Sequence, residues 1–410
     1  MRMLQVNNAQ HQDVPSEQSQ ENETRSNESR NVSDNNHSRR REIACKLRPI
    51  LNLMKLTGEC SEDVLVLNEI SATGSRLFSR LYRGLVILGQ WFVAVQCITT
   101  VFFEGFEELK RFYFLMIFVI WSLQSAAVAT ICLCVFPNRQ TESSRFSQFL
   151  SSLCNAESNE RRTKKYNGNL ILALVSFFAL FNTLFFISLD LIYGSVASFR
   201  PWNGFLVYRL IFYSFVFYSS FSWALPFLLF YVSCDLLLGI FDDLETKVKA
   251  GDPNASDIGW IRQEHRKLCV RVDLANRVFS PLLLAAVSLD VPLMCFNFHQ
   301  LLKSNASTGT DLTYLVSLLY WSVCVAVKLA FVLLEGVKVN EKIHSFYDTL
   351  QSFTVPDYKG HLELLHFMMH LRGEPIGISI GGLAVIDKSL AISLVGIMIS
   401  YFTVLITLPS

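Results

Sequence analysis

Read for the pattern of apolar and polar positions, the chain divides into a polar head, a series of long apolar runs, and charged connectors between them. The apolar runs predict membrane helices at about 82–103, 112–136, 169–193, 204–234, 278–302, 311–338 and 380–408. Each reaches the ~20 residues that carry a helix across a ~30 Å hydrocarbon layer. Residues 1–42 are rich in Asn, Gln, Ser and Glu and hold too little apolar surface to fold, so they read as a disordered tail. In 43–81, Leu47, Ile50, Leu51 and Met54 recur at helical spacing and predict a membrane-proximal cytosolic segment. Segment 235–277 is amphipathic, with Leu236, Leu237, Ile240 and Leu244 before the turn Asp252-Pro253-Asn254, and Ile261, Leu268 and Val272 after it. Such helical extensions pack on one another or on other subunits, not on lipid. The expected fold is an all-α membrane protein of seven transmembrane helices, with the membrane domain at 82–410.

Composition sharpens this picture. Hydrophobic residues make up 51% of the 410 and charged residues only 17%, below the ~25% usual for soluble domains. A net charge of +1 gives no reason to expect nucleic acid as a partner. Basic residues crowd loops 137–168 and 235–277 and the approach to the first span, whereas the alternate loops hold few. Positive charge marks the cytosolic side, so the N-terminus is expected in the cytosol and the C-terminus outside. Four sequons headed by Asn22, Asn27, Asn31 and Asn36 pull the other way, but an Asn- and Ser-rich tail makes sequons by chance.

That orientation is the reverse of a G-protein-coupled receptor. No Asp-Arg-Tyr follows the third span and no Asn-Pro-x-x-Tyr lies in the seventh, which leaves that class only as an alternative. The ten cysteines show no metal-ligand spacing and read as small buried hydrophobes. There is no nucleophile–base pair, phosphate loop or zinc site, so neither an enzyme nor a cofactor nor a bound metal is expected.

The spans themselves carry candidate chemistry. Asp290 lies midway along the fifth and Lys328 in the inner half of the sixth, about 6 Å apart in depth at 1.5 Å per residue. They read as an ion pair or a shared polar cavity, functional or structural. Asp190 and Arg209 are similarly placed near the outer ends of spans three and four. Tyr208, Phe212, Phe296, His299, Tyr314 and Trp321 supply aromatics with a few polar groups, as a small-molecule pocket requires and as any bundle interior also contains. In the last span Ser400, Thr403, Val404, Thr407 and Leu408 form one helical stripe, suited either to a wet pore or to helix packing.

Three stretches resemble the insect gustatory receptor superfamily and its nematode gustatory-receptor-like members. WIRQEHRKLCVRVDLANRVFSPLLL (260–284) is similar to the family's long fifth helix, with Asn276 and Ser280 in its N-x-x-(F/Y)-S. LAFVLLEGVKVNEKIHSFYDTL (329–350) resembles the sixth. Before the last span, Ile386-Asp387 stands where members carry Leu-Asp, and Ser400-Tyr401 stands for the family's Thr-Tyr. The family's closing Gln-Phe is replaced here by Thr407-Leu408. The resemblance implies a homo- or hetero-tetrameric cation channel in the plasma membrane of a sensory neuron. A cytosolic helical anchor would hold it together, the last helix would line the pore for monovalent or divalent cations, and a small-molecule ligand would enter an outward-facing pocket. Within the same fold stand two alternatives: a light- or peroxide-sensing receptor, and a non-conducting modulatory subunit.

Overall fold

The computed structural model describes residues 43, 46–60, 73–104, 109–136, 145–154, 168–193, 206–250, 258–303, 309–351, 358–373 and 376–407. The tail 1–42 lies outside them. Helix α1 (46–56) buries Leu47, Ile50, Leu51 and Met54. It ends in a left-handed Gly58 (φ 81°), with Glu59 N–H donating to the Met54 carbonyl at 2.7 Å and Gly58 N–H to that of Lys55 at 3.2 Å. This pair of bonds is a Schellman cap, which needs glycine at the left-handed position. Side chains of α1 share a crevice with Leu172, Val175, Leu225 and Leu228, so the segment is wedged into the bundle.

The bundle follows as α2 (Thr73–Glu104), α3 (Leu109–Val135), α4 (Arg145–Cys154), α5 (Gly168–Tyr193), α6 (Leu206–Lys249), α7 (Ile258–Lys303) and α8 (Gly309–Gln351). Among the described residues five helices are long and apolar enough to cross a membrane: those containing Phe78–Phe103, Leu115–Val135, Leu206–Lys249, Ile258–Leu302 and Leu315–Gln351. Leu172–Ser188 and Lys388–Val404 are shorter apolar stretches. Helices α6, α7 and α8 are 44, 46 and 43 residues long. At 1.5 Å per residue they reach about 65–70 Å, twice a hydrocarbon layer, so each extends well beyond any lipid it crosses. Connector 137–168 holds the amphipathic α4, whose Phe146, Phe149, Leu150 and Leu153 are buried.

The long extensions pack with α9 (Tyr358–Arg372) around buried Phe241, His265, Phe346 and Phe367. His265 sits edge-on among the three phenyl rings, 5.2–5.9 Å between centroids, with Nε2 3.3 Å from the Ile343 carbonyl oxygen. Burial pushes its imidazole down to about 4. At the surface of the same assembly, Lys342 Nζ lies 2.5 Å from both Asp242 Oδ1 and Glu245 Oε2, tying α8 to α6.

The last apolar run departs from the expected single helix over 380–408. Residues 379–385 form a hairpin of β1 (Ser379–Ile380) and β2 (Ala384–Val385), antiparallel with Ser379 opposite Val385. Gly381 (φ 64°) and Gly382 (φ 74°) make the turn, since a type I′ turn needs positive φ at both central residues. Helix α10 (Lys388–Thr407) begins only after it, and Leu408 lies outside the described residues.

Candidate functional site

The densest buried chemistry joins four helices. Gln124 on α3 uses its whole amide: Nε2 donates to Asp290 Oδ1 (3.0 Å) and to the Ala286 carbonyl (3.4 Å). Its Oε1 accepts from Trp223 Nε1 of α6 (2.8 Å) and from Lys328 Nζ of α8 (3.1 Å). Lys328 Nζ also lies 2.9 Å from Asp290 Oδ1 of α7 and 3.9 Å from the centroid of the Trp223 ring. Asp290 and Lys328 are 0% and 7% exposed, so the pair is desolvated and its charges compensate one another. Because the carboxylate and the ammonium share Gln124, losing either leaves a buried group short of a partner. Neutral Gln124 and Trp223 gave no charge signal in the sequence. An amide inside an apolar helix is nevertheless a recognised sign of helix–helix bonding in lipid.

On one side of Trp223 is a closed aromatic cluster. Trp321 stands edge-on to Trp121 (5.6 Å), to Phe186 (6.1 Å) and to Trp223 itself (6.4 Å). Phe212 belongs to this cluster and Phe296 packs against it. His299 is buried on α7, Tyr208 is half-buried with its ring 6.2 Å from Phe92, and Arg209 is half-buried one residue along. The side chains of Asp190 and Tyr314 lie outside the described part of the structure.

On the other side of Trp223 is a cavity of about 550 Å3 between α5, α6 and α8. Among the described residues, none of the outer aromatic or polar side chains named from the sequence lines it; Lys328 does.

The terminal helix is seated by a second polar network. Asn276 Oδ1 accepts from both the backbone N–H and the Oγ of Ser379 (2.8 Å each), and Ser280 Oγ lies 3.1 Å from Ser379 Oγ. Four residues apart, Asn276 and Ser280 fall on one face of α7, so both reach Ser379. Gly381 N–H donates to the Ser280 carbonyl at 3.0 Å, and a Cβ on Gly381 would sit 2.9 Å from Leu284. Asp387 then caps α10, its Oδ1 accepting from Leu390 N–H at 2.7 Å.

One face of α10, with Leu390, Ala391, Leu394 and Met398, packs on the core. Ser400, Tyr401, Thr403, Val404 and Thr407 are exposed, and the hydroxyls of Ser400, Thr403 and Thr407 bond back to carbonyls of their own helix at 2.8–2.9 Å. Among the described residues no group of His, Cys, Asp and Glu could hold a metal ion.

The model of the 7tm Chemosensory receptor family matches residues 47–407. The fold is similar to the insect olfactory receptor OR5 from Machilis hrabei in complex with eugenol. The TM-score is 0.65 at 15% identity, over 88% of this chain and 97% of that one. A second structure of that receptor gives a TM-score of 0.65 at 14% identity, over 90% of this chain and 99% of that one. No curated protein matches the chain in sequence. The chain belongs to the chemosensory receptor family, the insect-type odorant and gustatory receptor superfamily. It is a multi-pass membrane receptor of that fold.

Proposed function

We propose that this receptor is a ligand-gated cation channel of a sensory cell, with the N-terminus in the cytosol, the C-terminus outside, and four chains meeting at α10. The observation that carries the reading is α10 itself: a 20-residue apolar helix at the edge of the bundle whose Ser400, Thr403 and Thr407 face is covered by no other described part of the chain. A helix in that position packs on lipid or on copies of itself. A row of small hydroxyls suits the second, where it borders water. The small-molecule ligand enters the outer end of the bundle beside the Trp121–Trp321 cluster, near Tyr208, Arg209, Phe212, Phe296 and His299. Its binding reaches α10 through α7, where Cys295 Sγ lies 3.9 Å from the Met398 carbonyl oxygen and the Phe298 and Phe402 rings meet at 6.0 Å.

The test is expression alone in a cell without such receptors, with current recorded under a panel of small molecules. Thr403→Cys and Thr407→Cys are probed by a water-soluble thiol reagent during stimulation. Stimulus-evoked cation current that the reagent modifies is the expected result. An assembled surface protein that signals with both cysteines inert refutes the pore, and a silent one favours a modulatory subunit. A second reading rests on the three indoles of Trp121, Trp321 and Trp223 in edge contact, a compact ultraviolet absorber. Current evoked by ultraviolet light with no chemical present would select it.

A further inference from the structure

The cavity beside Lys328 is a different place from the outer cluster, and its walls say what can enter. Phe178, Trp223, Phe227, Cys324, Lys328 and Phe331 line it together with aliphatic neighbours. Its rim carries Leu174, Val327 and Phe331, which are 59%, 48% and 53% exposed. These belong to the long outward apolar stripes of α5 and α8, where Phe177, Leu180 and Leu184 on one helix and Val323 and Leu334 on the other are also exposed. The mouth therefore opens on the face of the bundle that meets hydrocarbon, and a ligand reaches it from the bilayer.

The polar end of the cavity constrains the ligand's charge. Lys328 and Asp290 already neutralise one another in a dry setting, so an added anion or cation would bring an uncompensated charge into it. An ammonium group has three protons to donate. Among the described residues Asp290 Oδ1 and Gln124 Oε1 are its two oxygen acceptors, and beyond them it faces the rings of Trp223 and Phe227 at 3.9 and 4.9 Å. An aromatic face is a weak acceptor. A ligand oxygen that approaches the ammonium from the cavity, beside these rings, would gain a charge-assisted bond without displacing Asp290. A volume of about 550 Å3 suits a molecule of ordinary small-ligand size.

The geometry points to a second binding site, distinct from the outer pocket, that takes a neutral lipophilic molecule carrying one hydrogen-bond acceptor oxygen. The molecule enters sideways from the bilayer and sets its oxygen against Lys328. The site is assigned independently of conduction, and its test uses no current.

In lipid nanodiscs the full chain is titrated with 11-bromoundecan-2-one, whose bromine quenches tryptophan fluorescence on contact, here that of Trp223. Saturable quenching is expected, with an apparent affinity about tenfold or more above that of 1-bromoundecane, the difference one charge-assisted hydrogen bond makes. The permanently charged 11-bromoundecane-1-sulfonate and 11-bromoundecyltrimethylammonium should show only the unsaturable quenching of a membrane solute. Ala224→Phe fills the cavity without touching the ion pair and should abolish the saturable part. Val327→Phe, which narrows the mouth without adding a fluorophore, should do the same and serves if the first variant does not fold. In the double variant Lys328→Met/Asp290→Leu the ketone should fall to the level of the bromoalkane. Saturable quenching that survives both cavity variants, or that the alkane or a charged probe matches, overturns the assignment.

Discussion

The coupling of Lys328 to Asp290 can be tested by a double-mutant cycle. In Lys328→Met the Asp290 carboxylate stays buried with Gln124 Nε2 as its one remaining side-chain donor. In Asp290→Leu the ammonium keeps Gln124 Oε1 and the face of Trp223. Stripping one partner from a buried pair typically costs 3–5 kcal/mol, and the shared amide places both single variants near ~3. The double variant removes both charges at once. Gln124 keeps Trp223 and the Ala286 carbonyl, so the loss is about one hydrogen bond, ~1 kcal/mol. The coupling is then ~5 kcal/mol. At roughly 2 °C per kcal/mol each single variant melts about 6 °C lower and the double only about 2 °C lower. Purified protein in one detergent, followed by intrinsic fluorescence at a single scan rate, gives the comparison even if unfolding is irreversible. A double variant that melts as low as the sum of the singles refutes the account of this cluster.

Three further outcomes follow from groups elsewhere. Glu59 is buried at the cap of α1, beside the Thr57 and Ser222 hydroxyls, and burial pushes its carboxyl up to about 8 from 4.5. The folded chain holds a proton that the unfolded chain releases across that window, so stability falls as pH rises through it. Glu59→Gln should raise Tm by several degrees at pH 7.5 and leave it unchanged at pH 4.5. His265 acts in the opposite sense. Its folded value of about 4 lies below the ordinary 6.5, so its contribution is complete above pH 6.5 and declines as pH falls toward 4, by ~1.4 kcal/mol per unit. His265→Phe should flatten the melting profile over that range by one proton's slope; an unchanged slope refutes the assignment. Asn276→Ala leaves the Ser379 N–H without its acceptor and should lower Tm by about 2–6 °C, whereas Asn276→Asp, which can still accept both bonds, should recover most of the loss.

How much of this was legible before the fold depended on whether the signal was local. The apolar runs located the long helices because length and hydropathy are properties of one segment. The start of α10 was hidden by the same criterion: apolar composition runs on from Ile380, although Gly381-Gly382 between short apolar flanks is a hairpin signal and Asp387 a capping residue. Helix α4 was equally local, with Phe146, Phe149, Leu150 and Leu153 at helical spacing inside a connector read as loop. Asp290 and Lys328 could be paired in advance because charge in an apolar run demands an explanation and depth can be counted. Gln124 and Trp223 could not, since what distinguishes them is the convergence of α3 and α6 on that pair. The cavity was illegible for the same reason: its lining residues are of the kinds that fill every other part of the core.

Helix α7 links these features. It bears Asn276 and Ser280, which hold the hairpin before α10, then Asp290, which holds Lys328, then Cys295 and Phe298, which touch α10 at Met398 and Phe402. Pro281 and Pro292 lie inside it. Each removes a backbone donor and wedges its ring against the preceding turn, so α7 can bend there with fewer bonds to break. Pro292 stands between Asp290 and the upper contact with α10. Pro281 stands just beyond the seat of the hairpin. A change in how Lys328 holds Asp290 therefore acts on a helix segment that is softened at both ends, with the terminal helix attached beyond each softened point. A rigid α7 would deliver the same push to both attachments together; a bend at Pro292 would instead move the contact at Met398 and Phe402 while Asn276 still held the hairpin.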